Sequence, residues 1–132
     1  MISNLHLTSD EKRAVAEITE RVMLLAGKNL QGMYLFGSKA RGDDDEESDV
    51  DIAIIVSELN RQTKRSLINI VVEAETKYIV VISALVIDEE DFNLLLKRER
   101  RIALDIKKEG IDLVEYNLKC KLKEAMLQNA SH

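Results

Sequence analysis

Proline is absent from the 132 residues of this chain, so the commonest marker of element boundaries is missing and element ends can be read only to within a few residues. Cysteine occurs once, at Cys120, which excludes an intramolecular disulfide and any zinc-type spacing and suits a reducing cytosolic compartment. Aromatic residues are few. Tyr34, Tyr78 and Tyr116 lie too far apart to form a base-stacking set and, with the two Phe, read as core. Long apolar runs are missing as well: the longest, Ile79 to Ile87, is too short to span a bilayer. Met1 to Asp10 lacks the basic-then-apolar order of a signal peptide, so a soluble, cytoplasmic protein is expected. His6 and His132 stand near the termini without partner residues and are given no chemistry. Nor is there an excess of positive charge. A net charge of −5 argues against a general nucleic-acid binder, which needs a positive field to engage phosphates.

What the chain does have is enough apolar material, 45% of residues, to build one core, and its length suits a single domain over residues 1–132. The charge is unevenly spread: residues 1–92 carry 10 Lys or Arg against 18 Asp or Glu, and residues 93–132 carry 9 against 6. Lys97, Arg98, Arg100 and Arg101 fit the solvated face of a helix.

Thr8 and Glu11 form a capping-box pattern, and Val15, Ile18, Val22 and Leu25 follow at helical spacing, which predicts a helix from about Ser9 to Gly27. Met33 to Phe36 reads as a strand. Val50 to Val56 is nearly continuous in apolar residues, as in a strand covered on both faces, and Tyr78 to Ile87 has the same character. Between them, Glu58 to Lys77 reads as a helix with Leu59, Leu67, Ile70, Val71 and Ala74 as its buried stripe. Four acids from Asp88 to Asp91 suit the start of a further helix running to about Lys108. Gly110 breaks it, Ile111 to Val114 offers a short edge strand, and Tyr116 to Gln128 a last helix. The fold class is α/β (α+β), in the order helix, strand, turn, strand, helix, strand, helix. Strands one and two are joined by only about a dozen residues, so they need not be parallel, and a small mixed sheet flanked by helices is expected.

The chemistry concentrates between the first two strands. Gly37-Ser38-Lys39-Ala40-Arg41-Gly42 leads through the acidic run Asp43 to Glu47 into Ser48-Asp49-Val50-Asp51. Asp49 and Asp51, two apart on a strand, face the same way at roughly 6 to 7 Å along it. Two carboxylates that close either raise a pKa or bind a cation, and oxygen ligands favour a hard ion such as magnesium. The Gly-Ser turn adds backbone N–H groups, a hydroxyl and the cations Lys39 and Arg41. An anion cradle beside a metal clamp implies a nucleoside triphosphate. Asp43 to Glu47 reads as a solvated loop, and Cys120, in a Lys-rich helix, as incidental.

These residues resemble the nucleotidyltransferase superfamily that includes DNA polymerase beta, and specifically its minimal nucleotidyltransferases (MNT). The signature of that family is Gly-Ser, ten residues, then Asp-x-Asp; Gly37-Ser38, Lys39 to Ser48, and Asp49-Val50-Asp51 match it without a gap. Phe36, Ala40-Arg41-Gly42 and Ser48 resemble it too. The resemblance implies the nucleotidyltransferase fold, with Gly37 and Ser38 on the terminal phosphates, Arg41 or Lys39 nearby, and Asp49 and Asp51 as catalytic residues holding Mg2+. It implies transfer of a nucleotide, AMP from ATP, to a hydroxyl. Small stand-alone members resemble antitoxins that adenylylate a HEPN-family ribonuclease toxin, with contact expected at Asn93 to Lys108 or the last helix. One departure stands out: many relatives carry a third carboxylate in the third strand, and here Val81 or a neighbour takes that place, with Ser83 the interior hydroxyl. That departure supports a different class of protein, a degenerate module that binds nucleotide or partner and neutralises by contact. An enzyme acting on a small molecule, as in aminoglycoside nucleotidyltransferases, is a further alternative.

Overall fold

The computed structural model describes residues 6–42 and 48–130. Helix α1 (Ser9–Ala26) begins at the expected capping box: Glu11 N–H donates to Thr8 Oγ1 at 3.1 Å and Thr8 N–H donates to Glu11 Oε1 at 2.9 Å. Its buried face is Ala14, Val15, Ile18, Val22 and Ala26, and Gly27, at φ 54°, ends it. Strand β1 (Leu30–Phe36) starts three residues before the expected Met33, with a register shift between Leu30 and Gly32.

A four-residue helix, α2 (Ser38–Arg41), follows β1, and strand β2 (Val50–Val56) then runs back beside it. The β1–β2 pair is antiparallel, with Phe36 opposite Asp51 and Met33 opposite Ile54. Helix α3 (Arg61–Tyr78) crosses over to strand β3 (Ile82–Asp88), which is parallel to β2 with Ser83 opposite Asp51 and Asp88 opposite Val56. A two-residue strand, β4 (Ile111–Asp112), pairs antiparallel with β1, giving a mixed sheet in the order β3-β2-β1-β4.

Alternation along the strands sorts two cores onto opposite faces of this sheet. Met33, Leu35, Ile52 and Ile54 pack with Ile18 and Val22 of α1 and Leu67 and Val71 of α3. Ala53 and Ile55 pack on the other side with Phe92 of helix α4 (Glu89–Lys97) and Ala103 and Ile106 of helix α5 (Arg101–Glu109). Helix α6 (Leu113–Ala130) continues from β4 and buries Leu113 and Asn117.

Element ends differ from the sequence reading by a few residues: β3 starts at Ile82 rather than Tyr78, and α6 at Leu113 rather than Tyr116. Helix α3 starts at Arg61 rather than Glu58 because Asn60 caps it, its side chain accepting from Thr63 N–H at 2.8 Å. The single helix expected from Asp88 to Lys108 is two, because Glu99 takes a left-handed conformation (φ 54°) while Glu99 N–H and Arg100 N–H close onto Leu96 and Leu95 carbonyls. Lys97, Arg98, Arg100 and Arg101 sit exposed around that corner. Strand β2 is covered on both faces as expected, but β3 is an edge strand whose Ser83 and Ala84 are exposed. No helix among the described residues is long and apolar enough to cross a membrane.

Candidate active site

The site is built where β1 hands over to β2. Gly37 follows the last residue of β1 at φ 76°, a backbone conformation that residues with a side chain rarely adopt. A Cβ placed there would collide first with Asp51 Oδ2, then with Asp51 Cγ. The turn and the carboxylate therefore pack together: the dihedral calls for glycine, and a methyl group there would displace the Asp51 carboxylate. From Gly37 the chain winds into α2: Ala40 and Arg41 N–H each donate to the Gly37 carbonyl at 3.1 Å, and Gly42 N–H to the Ser38 carbonyl at 2.8 Å. Ser38 and Lys39 open this helix, so their N–H groups lie ahead of its hydrogen-bonded turn.

Asp49 is exposed just ahead of β2, and Asp51, its second residue, is half-buried. Alternation puts both on the face of Ala53 and Ile55. Burial pushes the Asp51 carboxyl above the usual carboxylate range, the neighbouring charge of Asp49 adds to the rise, and Arg41 opposes it. The two carboxylates and the Arg41 guanidinium thus feel one another. Arg41 Nη1 also lies 3.2 Å from Glu109 Oε2 at the end of α5.

Lys39 is 3% exposed, and its Nζ donates at 3.4 Å to Glu11 Oε1, itself buried at the start of α1. The third strand places Ser83, rather than Val81, directly opposite Asp51, while the Val81 carbonyl accepts from Val50 N–H at 3.1 Å. Asp88 and Glu89 belong to the far end of the sheet. Asp88 faces Val56, roughly 16 Å along β2 from Asp51, and caps backbone there, accepting from Leu59 N–H at 2.9 Å and Glu90 N–H at 3.0 Å. The acidic run Asp43 to Glu47 lies outside the described residues.

A half-buried Asp51 with the Asp49 carboxylate as neighbour fits a hard divalent cation, which lowers that repulsion on binding. No third His, Cys, Asp or Glu joins them in a cluster among the described residues; magnesium commonly takes water and phosphate oxygens beside one or two carboxylates. Sequence reasoning missed two residues, Glu11 and Glu109. Glu11 showed only its local capping role, and no spacing rule links it to Lys39 28 positions on. A cleft of about 450 Å³, lined by Arg21, Leu24, Leu25, Ser66, Asn69 and Ile70, lies between α1 and α3 on the face opposite Asp51.

A family model described as polymerase beta, nucleotidyltransferase, matches residues 23–119. A protein of Methanocaldococcus jannaschii named as a candidate protein adenylyltransferase is 37% identical over 73 residues, 54% of this chain and 74% of that protein. A second from the same organism, named likewise, is 37% identical over 84 residues, 64% of this chain and 80% of its own length. Among solved structures, a toxin–antitoxin crystallised with AMP-PNP aligns with 87% of this chain and 90% of that one at 18% identity and a TM-score of 0.47, a likeness of fold alone.

Proposed function

Because the chain belongs to the polymerase beta nucleotidyltransferase family, we propose that it moves AMP from ATP to a hydroxyl group of a partner protein, using Mg2+ held by Asp49 and Asp51. The observation that carries this reading is the packing of the Gly37 turn against the Asp51 carboxylate, which supports a phosphate site beside a cation site. In this reading the Ser38 hydroxyl and the backbone N–H groups of Ser38 and Lys39 hold the terminal phosphates, and Arg41, whose charge acts on Asp51, adds positive charge there. Bound magnesium would neutralise the phosphates and the departing pyrophosphate. The acceptor oxygen bonds to the α-phosphorus, the bond to the β-phosphate oxygen breaks, and the hydroxyl proton passes to water. Little covalent work falls to the protein, and positioning supplies most of the rate.

The acceptor we propose is a HEPN-family ribonuclease toxin. Protein acceptors are supported by the names of the two relatives at 37% identity. A second reading, a module that binds nucleotide or partner and neutralises by contact, is favoured by one observation: Ser83, not a carboxylate, faces Asp51 on β3.

Incubation of the protein with ATP, Mg2+ and such a toxin, read by intact mass, separates the two. One or more added AMP units on the toxin are expected, with none when Asp51→Asn replaces the parent and none when the metal is chelated. A toxin that is bound and silenced without gaining mass would establish the contact-only module, and undiminished transfer by Asp51→Asn would overturn the site.

A further inference from the structure

The proposed reaction leaves one pair of charges without a task. Lys39 is 3% and Glu11 8% exposed, and their charged ends meet at 3.4 Å beneath the phosphate turn. Taking an ammonium and a carboxylate out of water is costly, and an apolar pair of similar volume often packs as well or better. Stability alone therefore does not account for the pair. What an ion pair adds is direction, and here the direction is fixed at its source. Glu11 sits in the first turn of α1, and the oxygen facing Lys39, Oε1, also accepts Thr8 N–H at 2.9 Å. Its position is thus set by the capping box before Lys39 arrives. Helix α2, by contrast, is a single turn of four residues, too short to hold an orientation of its own, and Lys39 directly follows Ser38 in it.

We propose that Glu11 is a positioning residue for triphosphate binding, acting through Lys39. The pair ties α2 to the start of α1, so that the Ser38 hydroxyl and the N–H groups of the turn keep their aim beside Asp51. Lys39 is then a strut under the phosphate cradle rather than a phosphate ligand. This inference rests on the nucleotide reading of the site and adds to it a residue 28 positions from Lys39 in sequence.

The test is calorimetric titration of the purified chain with Mg-ATP, alongside thermal midpoints, for the parent, E11Q, K39M and the double variant E11Q/K39M. Glutamine keeps an oxygen for Thr8 N–H, so the capping box survives. Each single variant breaks the Lys39–Glu11 ion pair and keeps one of its two buried charges, and is expected to lose both stability and affinity. The double variant removes both charges; its midpoint is expected close to that of the parent, while its Kd for Mg-ATP stays raised about tenfold, because the turn has lost its fixed aim. A purely structural pair predicts the opposite, affinity returning together with stability, and that outcome overturns the proposal. So does parent-like affinity in E11Q beside a loss in K39M, which would make Lys39 a direct phosphate ligand. A parent that binds no Mg-ATP sinks the nucleotide reading and this inference together, whereas tight binding by both parent and double variant removes the inference alone.

Discussion

Gly37 and Asp51 show how much of the site rests on two residues. Gly37→Ala forces a side chain into a conformation costing about 1 to 3 kcal/mol and drives it into the Asp51 carboxylate. Urea denaturation is expected to show a loss of that order, with Mg-ATP binding impaired beyond what the lost stability explains; unaltered stability and binding would refute the requirement. Both residues were legible in the sequence, because Gly-Ser and Asp-x-Asp are local patterns whose spacing alone announces a turn and a shared face. Lys39 was legible only as a charge near the motif. Its burial depends on α1 arriving from elsewhere in the chain, and Glu109 beside Arg41 depends on α5 in the same way. Ser83 as the neighbour of Asp51 required a strand register, which composition does not encode.

At the scale of elements, the chain stops two of its helices, α3 and α4, with unusual residues. Helix α3 ends on Ile79, a β-branched residue at φ 54° and 91% exposed, where glycine is the ordinary choice. Ile79→Gly is expected to stabilise the fold by about 1 kcal/mol, through relief of the left-handed strain, less the added freedom of the unfolded chain. A lower denaturation midpoint would show that Ile79 makes up for its strain in some other way. The same habit at Glu99 hid the break between α4 and α5, since neither Gly nor Pro marks it. Helices α1 and α3 are also joined across their surfaces by Lys77 Nζ, 2.7 Å from Glu17 Oε1, with Tyr78 Oη at 3.2 Å from the same oxygen. The Lys77 hydrogen bond holds the Glu17 carboxyl below its usual range. A depressed carboxylate contributes stability at and above the usual carboxylate range, and that contribution is lost as pH falls through the lowered value. Glu17→Gln is therefore expected to lower the thermal midpoint at neutral pH, with the gap to the parent closing in strong acid. A gap independent of pH would point to packing rather than charge. The effect is small, because the Lys77 side of the pair is exposed to solvent.

For the molecule as a whole, stability is distributed unevenly. Strand β2 is paired on both edges and buried along Ile52 to Val56, whereas residues 121–128 of α6 are exposed on every side. Hydrogen exchange is expected to be slowest at the β2 amides and fastest, among helical amides, over 122–128; protection of the two at equal strength would contradict this gradient. The sequence carried the mixed character of the sheet through the short β1–β2 connection, but not that β3 lies at an edge, because an apolar run looks the same beside one neighbour as beside two. The antiparallel pairing of Phe36 with Asp51 joins residues only 15 apart, while Leu35 with Ile111 joins residues 76 apart. Loop closure favours the nearer pairing in time. On the ribosome, then, the half of the sheet that carries the turn and both aspartates can assemble before β4 has been synthesised, and the edge beside β1 stays open until Ile111 and Asp112 have emerged.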